Sequence, residues 1–70
     1  MNKPIITING SDNLFDLIMK TKSALMTIYN QEKTDSILDE FLSDFFKQEN
    51  ISGKMMIIEN YVQVEIDLSI

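Results

Sequence analysis

Lys54 to Ile70, KMMIIENYVQVEIDLSI, is the stretch whose reading decides the fold. From Tyr61 onward apolar and other residues alternate: Val62, Val64, Ile66, Leu68 and Ile70 fall on one face, and Tyr61, Gln63, Glu65, Asp67 and Ser69 on the other. Alternation of this kind marks a strand with one buried side, because successive side chains of an extended chain point to opposite faces. The preceding run, Lys54 to Ile58, reads as a shorter strand, with Glu59-Asn60 as a two-residue turn. In that register Ile58 lies opposite Tyr61, Ile57 opposite Val62, Met56 opposite Gln63, Met55 opposite Val64 and Lys54 opposite Glu65. Apolar side chains then meet on the inner face, and Lys54 and Glu65 pair on the outer one. A slip of one residue would lose both matches. A C-terminal β-hairpin is therefore expected.

Toward the N-terminus the apolar period changes from 2 to 3.6. Ile37, Leu38, Phe41, Leu42, Phe45 and Phe46 form an apolar half-cylinder, with Asp39, Glu40, Ser43, Asp44 and Lys47 behind it. Ser36 with Asp39 fits the S-x-x-[DE] pattern of a helix start, and Asn50 or Gly53 in a left-handed conformation would end the helix after Glu49. Leu14, Leu17, Ile18, Thr21, Ala24, Leu25 and Ile28 define an earlier helix running to about Tyr29, with Ser11 or Asp12 as its N-cap. The polar segment 30–35 separates the two, although it holds no Gly or Pro, and one long bent helix is the alternative. Ile5 to Ile8 reads as a short strand closed by Asn9-Gly10, a dipeptide suited to the positive φ angles of a tight turn. The order β-α-α-β-β implies an α+β fold of two layers. Its three-stranded sheet, ending in the C-terminal β-hairpin, would pack on a helical hairpin, with residues 1–70 as a single domain.

A chain of 70 residues buries only ~60% of its unfolded surface. It has neither cysteine for a disulfide nor histidine for the usual zinc sites, so self-association or a partner is a natural source of further stability. Missing His and Cys also exclude nucleophilic catalysis of the Ser-His and Cys-His kinds. Ser23 stands near Lys20 and Lys22, but these lysines read as solvated rather than desolvated and reactive. Gly10 and Gly53 are isolated, so there is no phosphate-cradling loop, and no cofactor is expected. Eleven acidic residues against six lysines and no arginine give a net charge of -5, which disfavours direct nucleic-acid binding and favours a partner with a basic surface. The N-terminus lacks the pattern of a secretory signal, and no apolar run is long enough to span a membrane. A cytoplasmic protein is the expectation.

Carboxylates recur at helical spacing: Asp12 with Asp16, Asp35 with Asp39, and Glu40 with Asp44. Four residues span ~6 Å of helix axis, so each pair could approach one ion. Placement near helix starts explains Asp12, Asp16, Asp35 and Asp39 without a metal, and Asp16 has Lys20 four residues on as an ion-pair partner. With no calcium-loop spacing or convergent third ligand, no metal site is expected.

Three surfaces are candidate binding sites. Phe15, Met19 and Met26 form a second apolar stripe on the first helix, beside Lys22; packing by the second helix is its ordinary fate, and a partner or dimer interface is the other. On the outer sheet face Met56, Ile58 and Tyr61 would cluster at one end, with Gln63, Glu65 and Asp67 extending from the other, an apolar centre with an acidic rim. The edge of the long C-terminal strand offers a related route. The third surface is the acidic rim Asp39, Glu40 and Asp44, preceded by Glu32 and Asp35, whose carboxylates could imitate nucleic-acid phosphates. In size, acidity and lack of catalytic groups the chain is similar in general character to small inhibitors carried by viruses and mobile elements. A non-enzymatic inhibitor or adaptor that docks on a larger basic protein, one that processes nucleic acid for instance, is the leading expectation. A homodimer or larger homo-oligomer is the alternative, assembled through the first helix or the last strand.

Overall fold

A computed structural model describes residues 3–67. Strand β1 (Ile5–Asn9) is followed by helices α1 (Leu14–Leu25), α2 (Gln31–Lys47) and α3 (Ile51–Glu59), and then by strand β2 (Gln63–Asp67). The result is a small α+β domain with three helices and a two-stranded parallel sheet.

The expected hairpin does not form, because residues 51–59 are helical. Asn50 is an N-cap whose side chain accepts the Gly53 N–H at 2.7 Å, so it begins α3 rather than ending α2. Gly53 then lies in the first turn of α3, and no described residue has a positive φ. The apolar run that follows fits a helix as readily as a strand; in length and hydropathy alone the two are indistinguishable. The spacing of its anchors is helical: Met55 is half-buried, and Ile58 and Val62 are fully buried, three and seven residues further on. Glu59 and Asn60 lie where α3 ends, with Val62 N–H still donating to Ile58 C=O at 3.0 Å. The alternating pattern is therefore read by a strand only from Gln63, and Lys54 does not pair with Glu65 across a ladder. Leu68, Ser69 and Ile70, assigned to that strand from the sequence, lie outside the described residues.

Lys54 has a different task. Its Nζ donates to the Phe45 and Gln48 carbonyls at 3.0 and 2.7 Å and sits over the Phe45 ring, 4.9 Å from the centroid. These carbonyls belong to the C-terminal end of α2, where a cation also complements the helix dipole. One lysine thus fixes the corner between α2 and α3.

Asparagine opens each helix. Asn13 and Asp16 form a reciprocal capping box on α1, at 2.8 and 3.0 Å. Asn30 accepts the Lys33 N–H at 2.8 Å, which starts α2 five residues before Ser36 and makes it a separate helix from α1. Asp12, one of the expected caps, instead closes the turn after β1: its carboxylate accepts the Asn9 N–H and its own N–H donates to Asn9 C=O. With that closure Gly10 needs no positive φ.

β1 and β2 pair with Ile5 beside Gln63, Ile6 beside Val64, Thr7 beside Glu65, Ile8 beside Ile66 and Asn9 beside Asp67. Ile6, Ile8, Val64 and Ile66 share the side that faces the helices. Beneath it lie Leu17, Ala24 and Leu25 of α1, Leu38, Phe41 and Phe45 of α2, and Ile58 and Val62. The Phe41 and Phe45 rings stack 5.3 Å apart, and Tyr61 meets Phe41 edge-on at 5.4 Å. Each fully buried large apolar side chain contributes about 1.5–3 kcal/mol, so this cluster is the main source of stability.

Replacing Lys54 by methionine keeps the apolar stem and removes the charge. Two charge-assisted bonds to helix carbonyls should be lost, lowering stability by about 1–2 kcal/mol. Thermal denaturation should show the melting point falling by about 4–8 °C per kcal/mol; an unchanged melting point would mean that the corner does not depend on the ammonium.

Candidate functional site

Helix α1 carries two apolar faces. Leu17, Thr21, Ala24 and Leu25 are buried against the core. Phe15, Met19 and Met26 lie along the opposite side, brought into line by spacings of four and seven residues, and they are 67%, 41% and 46% exposed. Helix α2 does not cover this stripe. Its own buried residues, Thr34, Leu38, Phe41 and Phe45, are directed into the core instead.

Between α1 and β1 runs an open groove of about 690 Å³, which Met19 joins to the stripe. Ile5, Ile6 and Ala24 supply its apolar floor, and Asp12, Asp16 and Lys20 its charged wall. Lys20 Nζ donates to the Thr7 carbonyl at 2.7 Å and to Asp12 Oδ2 at 2.6 Å. The lysine therefore pairs with Asp12, eight residues away, and not with Asp16, whose carboxylate is engaged in the capping box. Helical spacing alone pointed to the wrong partner because Asp12 lies in the turn before the helix. The hydrogen bond from Lys20 holds the Asp12 carboxyl below its ordinary value, and the Asn9 N–H adds to this.

The acidic residues Asp39, Glu40 and Asp44 all lie on α2. Asp39 and Glu40 are exposed and Asp44 is half-buried. Glu40 and Asp44 face Tyr61, whose hydroxyl is pushed above its usual value first by burial and then by these two carboxylates. Tyr61 thus joins the α2 rim, whereas the sequence had placed it with Met56 and Ile58. That second cluster is not assembled: α3 turns Ile58 fully into the core and leaves Met56 exposed on a helix. Glu65 and Asp67 are exposed on the outer face of β2. Among the described residues no three carboxylates are grouped so as to hold a metal ion, and no helix is long and apolar enough to cross a membrane.

The clasp of Lys20 on Asp12 has a defined pH signature. A carboxylate whose folded pKa is depressed stabilises the fold above its unfolded value, here 3.8, and that contribution is lost as pH falls through the folded value. Asp12→Asn should melt below the wild type at neutral pH, and the gap should close as the pH is lowered past 3.8; a gap independent of pH would contradict the clasp. No protein-family model matches the chain, nor does any curated protein or solved structure.

Proposed function

We propose that the chain is a protein-binding module without a catalytic role, an inhibitor or adaptor that docks on a larger protein with a basic surface. The observation that carries this reading is the Phe15, Met19 and Met26 stripe, left open on a helix that has already buried its core face. Large apolar side chains lined up on the surface of a small protein mark a contact surface, since covering them removes apolar area from water. The net charge of -5 favours a basic partner and speeds its approach. Glu40, Asp44 and Tyr61 supply a second, acidic and aromatic contact area of the kind interfaces use. Imitation of nucleic-acid phosphates by Asp39, Glu40 and Asp44, and a nucleic-acid-processing partner, are the finer form of this proposal.

Self-association through α1 is the second reading, favoured by the order of charges. Asp16 and Lys22 stand three residues either side of Met19. Two antiparallel copies related by a twofold axis at Met19 would bring Asp16 of each level with Lys22 of the other, the self-complementary arrangement of a symmetric dimer.

Met19→Lys tests both readings. Sedimentation at micromolar concentration and capture on the immobilised chain should show the wild type bound to one stoichiometric protein, or to itself, and the variant weakened by at least about tenfold. Capture that survives Met19→Lys and high salt, from a chain that stays monomeric, would overturn them.

A further inference from the structure

The two edges of the sheet are treated differently. Gln63 N–H donates to Pro4 C=O at 2.8 Å, so the backbone groups of Gln63, Glu65 and Asp67 face β1 and those of Val64 and Ile66 face away. By the same parity Ile5, Thr7 and Asn9 present theirs on the outer edge of β1. That edge is partly occupied: Lys20 takes the Thr7 carbonyl, and Asp12 takes the Asn9 N–H and donates to the Asn9 C=O. Covering an edge from a neighbouring helix and turn, as Lys20 of α1 and Asp12 do here, is a recognised guard against further pairing. On the outer edge of β2 no described group plays this part, and among the described residues the sheet has two strands only. Val64 and Ile66 direct N–H and C=O groups outward with no hydrogen-bond partner among the described residues.

The side chains of β2 define what would fit. On the helix side Ile66 is 64% exposed although its ladder neighbour Ile8 is half-buried, so the core does not extend over the far end of β2. On the other side Gln63 and the carboxylates of Glu65 and Asp67 are exposed. A strand laid along this edge presents alternate side chains to the same two sides. One set would meet Val64 and Ile66, the other Glu65. A second copy of this chain is a poor occupant, because antiparallel pairing of two β2 strands sets Glu65 against itself or close to the other copy's carboxylates, and like charges across strands repel. A strand alternating apolar with basic residues satisfies both sides.

We propose that the outer edge of β2 accepts, as an added strand, an extended segment of a partner protein in which apolar residues alternate with Lys or Arg. Main-chain hydrogen bonds to Val64 and Ile66 would supply affinity, and Glu65 the choice of charge. The proposal rests on the reading of the chain as a protein-binding module and adds a site distinct from the α1 stripe.

The test is a titration of the isotope-labelled chain, followed by amide NMR, with a synthetic peptide of about eight residues alternating lysine with isoleucine or valine. A control peptide has the same composition with its lysines grouped at one end. Binding of the alternating peptide should shift the Val64 and Ile66 amides and slow their exchange. Ile66→Pro removes one outward donor without touching a bond to β1, so it should abolish binding. Glu65→Lys should weaken it by at least about tenfold while keeping every backbone group, and covers the case in which the proline disturbs the strand. Met19→Lys should bind the peptide like the wild type. Equal binding of the grouped peptide, unchanged binding by Ile66→Pro and Glu65→Lys, or protection of Val64 and Ile66 by self-pairing without peptide would overturn the proposal. Peptide binding lost in Met19→Lys would also overturn it while leaving the α1 reading intact, whereas intact peptide binding beside a Met19→Lys chain that still captures its partner would overturn the α1 reading alone.

Discussion

Two short strands from opposite ends of the described chain lie side by side in the same direction, and this parallel pairing constrains everything between them. Antiparallel neighbours can be joined by a two-residue turn, but parallel ones need a long crossover. Here residues 10–62 make it, as three helices that pass beneath one side of the ladder. Loop closure over that distance has an entropic cost that two five-residue strands cannot meet through hydrogen bonds alone. The core under them has to meet it, which is why Phe41, Phe45, Leu25, Ile58 and Val62 have almost no exposed surface in so small a protein. At the meeting point of the two ends, Gln63 N–H bonds Pro4 C=O, and Lys3 Nζ reaches the Glu59 carbonyl at 2.8 Å.

How much of this was legible in the sequence varied with the kind of signal. The faces of α1 and α2 were read correctly at Leu17, Leu25, Leu38, Phe41 and Phe45, because long amphipathic periods are robust. The first strand and the alternation of Gln63 to Asp67 were also recovered. The error lay at Lys54 to Ile58, where a short apolar run flanked by charges carries no period of its own. A plausible register with Tyr61 onward made a strand attractive, yet the deciding residue was Asn50, three positions before Gly53. Likewise α2 starts at its cap Asn30, within the polar segment 30–35, and not at Ser36. Each of Asn13, Asn30 and Asn50 caps the N–H three residues on, and this one local rule accounts for all three helix starts.

The candidate surfaces were legible in composition and less so in arrangement. The Phe15, Met19 and Met26 stripe was visible in the spacing, but whether another helix covers it depends on where α2 directs its apolar face, a tertiary fact. Tyr61 moved from the sheet to the α2 rim because α3 replaced a strand. The clasp of Lys20 on Asp12 was hidden, since it links a helix to the turn before it. Among the described residues, this acidic molecule leaves the Phe15, Met19 and Met26 side of α1 exposed and bonds side chains to the β1 edge of its sheet but not to the β2 edge. These features sit on different elements, which lets them be perturbed separately.

The parallel pairing is tested most directly by backbone NMR of the intact chain. Helical carbon shifts through Ile51–Glu59, together with interstrand contacts linking Ile6 to Val64 and Ile8 to Ile66, are the expected result. Extended shifts at residues 54–58, with contacts between Ile57 and Val62 across a turn at Glu59-Asn60, would contradict it and restore the hairpin.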